Sequence, residues 1–384
     1  MHLTLRYSIR SRTLTMKRAE LVEHQRPSVR ALPSLADGIV TMDMGQSQIS
    51  DGKCKSIAAL LVDFDDSAVL AVDLSQNMIG CDGAMSLAQA LEMNDRVTAL
   101  NLSHNFIAGS GSERLGNALA RSALRRLDLS HNPLGTRGLN AIGTAISLPA
   151  ANVLRSLKLT DVKLDAVGAR ALASGLSANR GLRVLSMGNN PLRPSGAVQL
   201  ARAIVTNTTA KKGAGITALD LSYSGMGDGP VAVLARGLKA GASLRRLDLS
   251  HNKIQTAGAA GLAAMMAVHT GLQMLVLDHN PGIAFEGCKS FLALEIDRVL
   301  DVVSFKPAPK LGTTAARVTA TSFTACVRQV VWQAAHSPTA CTAFHACRLL
   351  SVSRRSARCT SLRAARRCSR LRSSRAPRSG SGRS

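Results

Sequence analysis

Leu124-Arg125-Arg126-Leu127-Asp128-Leu129-Ser130-His131-Asn132 returns almost unchanged as Leu244-Arg245-Arg246-Leu247-Asp248-Leu249-Ser250-His251-Asn252. The shared frame is apolar at its first, fourth and sixth positions and ends on Asn at the ninth. It opens nine times, at Ile39, Val69, Val97, Leu124, Leu154, Leu182, Ile216, Leu244 and Leu272, at spacings of 27 to 34 residues. Three or so stacked units suffice to hold a repeat array together. The alternation inside the frame is that of a short strand with one buried side. The ninth position is Asn77, Asn105, Asn132, Asn190, Asn252 and Asn280, with Ser47, Val162 and Ser224 as exceptions. A buried Asn at a turn can bond the backbone of its own coil and of the next, so a structural ladder is expected there.

The second half of each unit has helical period. Ala84, Leu87, Ala88 and Leu91 fall at i, i+3, i+4 and i+7, as do Leu139, Ile142, Gly143 and Ile146. The i+4 residue is small in the first eight units, from Ala58 and Ala88 to Ala235 and Ala263, which lets neighbouring coils approach closely. Gly83, Gly111, Gly138, Gly168, Gly196 and Gly258 are expected in the loop between strand and helix, where a bend or a close approach favours glycine.

A strand, a glycine-bearing connection and a full helix in 27 to 30 residues resemble the ribonuclease-inhibitor-like class of leucine-rich repeats. The resemblance implies an α/β solenoid of about nine repeats, a horseshoe with a parallel inner sheet and outer helices, in a family of mostly intracellular binding proteins. It covers residues 39 to about 296 and divides the chain into a basic N-terminal arm or cap (1–38), the repeat domain (39–301) and a tail (302–384). Gly282, Phe285, Phe291 and Leu292 break the pattern in the last repeat, which reads as a C-terminal cap.

Function must sit where the fold has no need of a particular residue. The third, fifth and seventh frame positions face the concave side, with the second and eighth at its margins. The fifth column is Asp43, Asp73, Asn101, Asp128, Lys158, Ser186, Asp220, Asp248 and Val276. Arg125, Arg126, Arg155, Arg183, Arg245 and Arg246 fill second and third positions, and Tyr223 is the one aromatic beside them. Arg126 with Asp128, and Arg246 with Asp248, lie two apart on one strand face. They either pair with each other and merely solvate the sheet or present complementary charge to a protein partner. The partner-binding set expected on the concave face is therefore Arg125, Arg126, Asp128, Arg155, Lys158, Arg183, Asp220, Tyr223, Arg245, Arg246 and Asp248.

The eighth column places His104 beside His131 and His251 beside His279 on adjacent coils. Two ligands without a third make a poor metal site, so solvated histidines at the sheet edge are expected, with no metal or cofactor. The chain has no G-x-x-x-x-G-K-[ST], H-E-x-x-H or G-x-S-x-G motif and reads as a non-enzyme. The repeats are also similar to those of Ran GTPase-activating proteins, which implies an arginine in an early post-strand loop as the alternative, small-GTPase-regulating reading. Residues 46–51 and 76–81 contain none, and that family's acidic tail is replaced by a basic one.

Composition bounds the rest. Of 384 residues 46% are hydrophobic and only 3% aromatic, so Leu, Ala and Val must build the core. The net charge of +24 is concentrated: residues 302–384 hold 16 Lys and Arg and no acid. From Ser351 this tail is mostly Ser, Arg and Ala and is expected to be disordered, a loose nuclear import signal or a salt-sensitive, sequence-blind nucleic-acid arm. Its abrupt loss of pattern also fits an out-of-frame translation. Cys341, His345 and Cys347 match no zinc spacing. At the other end, residues 1–19 have the composition of a mitochondrial transit peptide, but Leu3, Leu5, Tyr7 and Ile9 alternate like a strand. No run is long enough for a membrane span, and eight Cys without paired spacing fit an intracellular protein, read as a monomer.

Overall fold

The computed structural model describes residues 4–8, 13–17, 39–62, 69–149, 153–190, 192–209, 215–238, 243–269, 271–283, 287, 290–291 and 303–304. The chain divides into two compact units, 1–322 and 323–384. The second, with the Arg-rich tail, Trp332 and the Cys341–His345–Cys347 cluster, lies outside the described residues.

In the first unit, β1 (Thr4–Ser8) and β2 (Thr13–Lys17) form an antiparallel hairpin. The strand period around Leu5 and Tyr7 is thus realised. Then strand and helix alternate: β3 (Ile39–Asp43), α1 (Asp51–Val62), β4 (Val69–Asp73), α2 (Cys81–Met93), β5 (Val97–Asn101), α3 (Gly109–Ala118), β6 (Arg126–Asp128) and α4 (Gly135–Ser147). The order continues with β7 (Ser156–Lys158), α5 (Ala166–Ala178), β8 (Val184–Ser186), α6 (Pro194–Thr209), β9 (Ala218–Asp220), α7 (Asp228–Gly237), β10 (Arg246–Asp248), α8 (Thr256–Val268) and β11 (Met274–Val276). These nine strands pair in parallel in chain order and, apart from a shift between Leu70 and Ala71 against β5, in frame register, as in Asp128 opposite Lys158 and Asp220 opposite Asp248. This is the leucine-rich-repeat horseshoe. A further strand, β12 (Val303–Ser304), pairs with β11 and carries the sheet past Asp301.

The frame builds the core. Leu124, Leu127 and Leu129 are buried, as are their equivalents in every coil from Val97 onward, at roughly 1.5–3 kcal/mol per large apolar side chain. The small helical residues are buried too, and where they are glycine the helices touch backbone: a Cβ on Gly143 of α4 would stand 2.5 Å from the Ala171 carbonyl oxygen of α5. Gly83, Gly111, Gly138, Gly168, Gly196 and Gly258 lie inside the first helical turn instead of the preceding loop. Close approach is the reason for glycine there, since a Cβ on Gly111 would be 2.7 Å from Cys81 Cα. In the last repeat Phe291 is fully buried, while Phe285 and Leu292 fall outside the described residues.

The Asn ladder forms, but it runs to the preceding coil, not the following one. Asn105 Nδ2 donates to Leu102 O in its own coil at 3.0 Å and to Leu74 O one coil back at 2.9 Å, while its Oδ1 accepts the Ile79 N–H at 3.0 Å. Where the ninth residue is not Asn, the next Asn does extra work. Asn77, Asn190 and Asn252 each accept two N–H groups through Oδ1, from Ser47 and Ile49, from Val162 and Leu164, and from Ser224 and Met226. In those three exceptional coils the tenth residue, Gln48, Lys163 or Gly225, has positive φ.

A second ladder at the helix C-termini escapes the sequence pattern. Asn94 Nδ2 donates to Leu61 O one coil back and its Oδ1 accepts the Arg96 and Val97 N–H groups. Asn179 repeats this with Ile146 O, Gly181 and Leu182, and Asn207 bonds Leu176 O, Asn179 O and the Ile216 N–H. The Asn lies three residues before the frame in two coils, and buried His269 holds that place before Leu272.

Candidate functional site: the open face of the sheet

Strand side chains alternate between the core and the open face, so β6 buries Leu127 and turns Arg126 and Asp128 outward. The fifth-column carboxylates are largely taken up by their own turns. Asp43, Asp73, Asp128, Asp220 and Asp248 each accept, through Oδ1, the N–H two residues on. Asn101 does the same for Ser103. A short acceptor side chain that bonds its own backbone two residues later fixes the exit from a strand. That preference also answers the pairing question. Asp128 Oδ2 meets Lys158 Nζ across the strands at 3.1 Å, and no ion pair among the described residues joins Arg126 to Asp128 or Arg246 to Asp248.

The arginines separate into two kinds. Arg155 Nη1 donates to Gly181 O at 2.7 Å, and Arg183 Nη1 donates to Arg180 O, Leu182 O and Gly215 O at 3.0 to 3.2 Å. These two tie the strand entrances of neighbouring coils together. Arg125, Arg126, Arg245 and Arg246 are exposed, and their guanidinium groups make no hydrogen bond or ion pair among the described residues. Arg126 stands between Ala99 and Ser156 on the adjacent strands, and Arg246 between Ala218 and Met274.

The eighth column is more ordered than solvated histidines would be. All nine of its residues, from Gln46 to His279, have φ between 51° and 57°. Such backbone costs an ordinary residue roughly 1–2 kcal/mol. It is held by ladder bonds to the next coil, such as His104 N to Ser130 O at 2.9 Å and His251 N to Asp278 O at 2.8 Å. The side chains then stack along the sheet edge. His104 lies on His131 at 4.0 Å, and Tyr223, His251 and His279 follow one another at 3.9 and 4.1 Å. His131 Nδ1 is 3.3 Å from Asp161 Oδ2. Burial first, and the neighbouring His279 second, push His251 below its ordinary pKa against the pull of Asp278 and Asp248. Both histidine pairs are therefore adjacent, as their spacing implies, yet no group of three or more potential metal ligands occurs among the described residues. Tyr223 is half exposed, with one ring face on His251.

Repeat, sheet and ladder together define a leucine-rich-repeat protein. The family model described as "Leucine Rich repeat" matches residues 123–143 and 242–263, the two units that carry the near-identical nonapeptides. The chain is related to ribonuclease inhibitor and to the leucine-rich-repeat regions of NACHT- and PYD-containing proteins. It is 28% identical to pig (Sus scrofa) ribonuclease inhibitor over 215 residues, 50% of this chain and 46% of the relative. Bovine (Bos taurus) NACHT, LRR and PYD domains-containing protein 9 is 28% identical over 181 residues, 47% of this chain and 18% of the relative. The human (Homo sapiens) NACHT, LRR and PYD domains-containing protein 5 is 28% identical over 194 residues, 44% and 16%. The chain thus spans under half the length of ribonuclease inhibitor and under a fifth of the two NACHT relatives. A crystal structure of a TLR13–ssRNA13 complex aligns with 64% of this chain and 32% of its own at TM-score 0.36 and 18% identity. Among the described residues no helix is long and apolar enough to cross a membrane.

Proposed function

We propose that the chain is a non-enzymatic protein-interaction scaffold that holds its partner on the open face of the repeat sheet. The observation that carries this reading is the state of Arg125, Arg126, Arg245 and Arg246. Arg126 and Arg246 stand on the face and Arg125 and Arg245 at its margin, all exposed and with guanidinium groups that bond nothing among the described residues, whereas the Asn ladders, the fifth-column carboxylates, Arg155 and Arg183 are engaged in holding the coils together. Cationic side chains that the fold does not use are available to a partner. A relative named as an inhibitor of ribonuclease, a protein, is in keeping with this use of the repeat. The small-GTPase-regulator alternative gains nothing from the geometry. The loops after β3 and β4 carry no arginine, and their backbone is held by Asn77 and Asn105. An intracellular setting belongs to the same proposal and rests on the chemistry of cysteines such as Cys54 and Cys81, which are free.

The test places a photo-cross-linking residue in the full chain, either at Ser156 on the sheet face or at Arg170 on the helix side. Cross-links formed from Ser156, and lost when the four arginines are reversed to Glu, are the expected result. Cross-links confined to Arg170, or unchanged by the reversal, would refute the proposal.

A further inference from the structure

Resting on that reading, we infer that the partner is a protein segment with two acidic clusters, each gripped by one of the arginine pairs Arg125–Arg126 and Arg245–Arg246. Strand register sets their separation. Arg126, Ser156, Val184, Ala218 and Arg246 occupy one row across β6 to β10, each opposite the next. Four inter-strand steps of about 4.8 Å put the two ends of the row roughly 19 Å apart. Between them the row itself, Ser156, Val184 and Ala218, is uncharged and small, with Val184 36% exposed, while the guanidinium groups of Arg155 and Arg183 beside it are taken up by backbone carbonyls. The partner must therefore carry negative charge at two points and short apolar side chains between them. In a helix laid along the row, at 1.5 Å and 100° per residue, the spacing nearest this distance that keeps both clusters on one face is about 14 residues, roughly 21 Å.

The next row decides between carboxylates and phosphates. It reads Asp128, Lys158, Ser186, Asp220 and Asp248. Lys158 neutralises Asp128, but no basic side chain pairs with Asp220 or Asp248 among the described residues. A nucleic-acid strand carries charge at every step and would lie against both carboxylates. A peptide can place its acids over the arginines alone and leave neutral or basic residues beside Asp220 and Asp248. Guanidinium groups with free, coplanar donors suit this, because they bind carboxylate in a two-pronged fashion. The chain's own tail is not the occupant, since residues 302–384 contain no acid.

The experiment titrates the full-length chain with two Ala-rich helical peptides of equal charge. Their Glu-Glu clusters are centred about 14 or about 7 residues apart, roughly 21 or 10 Å along a helix and in each case on one helix face. Simultaneous engagement of both pairs should make the longer-spaced peptide bind about tenfold tighter or more. Changing either pair, R125Q/R126Q or R245Q/R246Q, should remove that preference while circular dichroism stays unchanged. The basic tail is the same in every variant and cannot produce the difference. Equal affinity for both peptides, or a preference that survives both double variants, would overturn the inference. So would tighter binding of a single-stranded RNA oligonucleotide of matched charge, lost in the same variants. Absence of the spacing preference in the unmodified chain, with cross-linking from Ser156 intact, defeats this inference alone; cross-linking confined to Arg170 defeats the scaffold proposal beneath it.

Discussion

Replacing Asn190 by alanine is expected to cost more stability than replacing Asn132, although both are buried members of one ladder. Asn190 Oδ1 accepts the N–H groups of Val162 and Leu164 at 3.0 and 3.2 Å, and its Nδ2 donates to Leu159 O at 2.7 Å. With Val162 at the ninth place of the previous coil, no other ladder Asn reaches Leu159 O. The variant N190A therefore strands three backbone groups. Asn132 Oδ1 accepts one N–H, from Ile107, and Nδ2 donates to Leu102 O and Leu129 O. Leu102 O keeps Asn105 as a second donor, so N132A strands two groups. Each buried group left without a partner costs about 1–3 kcal/mol. At the lower end, N190A loses about 3 kcal/mol and N132A about 2, a gap of about 1 kcal/mol or more. Repeat arrays can unfold in parts, so urea denaturation is to be accompanied by amide hydrogen exchange at Val162 and Leu164, whose protection should fall first. Equal losses in the two variants, or protection at Val162 and Leu164 unchanged in N190A, would refute the ladder argument.

Three other outcomes are expected. The variant G143A should destabilise by about 1–3 kcal/mol through overpacking against Ala171, outweighing the roughly 1 kcal/mol that alanine gains in a helix. In contrast G52A, with open space around its added Cβ, should be neutral or stabilising in the same urea titration. His251, held below its ordinary value of 6.5, takes up a proton less readily folded than unfolded. Its contribution to stability is complete above that value and is lost as the pH falls through it towards the lower folded pKa. Urea midpoints at pH 7.5 and 5.5 should differ less in H251Q than in the wild-type chain, and an identical difference would show that the ring does not titrate as argued. Burial pushes the Cys54 thiol up to about 12, so at pH 8 a thiol reagent read out by site-resolved mass spectrometry should leave Cys54 unmodified until the chain unfolds. Rapid native labelling there would contradict its burial.

Much of this fold is legible because the apolar frame repeats with the period of the strands. Leu124, Leu127 and Leu129 announce both the strand and the side it buries. The ladder Asn residues were equally visible, though not the direction in which they bond, which depends on how the turn of one coil overhangs the one before. The helix-end ladder of Asn94, Asn179 and Asn207 was hidden because an Asn before Asp, Arg or Thr looks like an ordinary solvated helix stop, and the longer connection before Ile216 removes the constant offset. The division of the arginines was hidden for a related reason. Arg155 and Arg183 find carbonyl acceptors at Gly181 and Gly215, in the connection leading to the following strand, and a column alignment of strand residues is blind to that connection. Tyr223 and the four histidines were placed in or beside their columns by spacing alone. Their stacking follows from the shared left-handed backbone, which leaves no trace in hydrophobic pattern.

That shared backbone makes the eighth column a strip of interchangeable letters. Its occupants here, two Gln, one Asp, one Asn, one Tyr and four His, include no β-branched residue, the class for which positive φ is least acceptable. The main chain supplies a coil-to-coil bond at each of these positions from Gln46 to His251, and the side chains only add to it, through stacking or pairs such as Gln46 Nε2 with Gln76 Oε1. They are set out along the sheet at a pitch of about 4.8 Å. A designer could rewrite the strip one coil at a time among unbranched side chains, as on a keyboard whose keys are fixed and whose labels are not, while Val, Ile or Thr would jam the key itself.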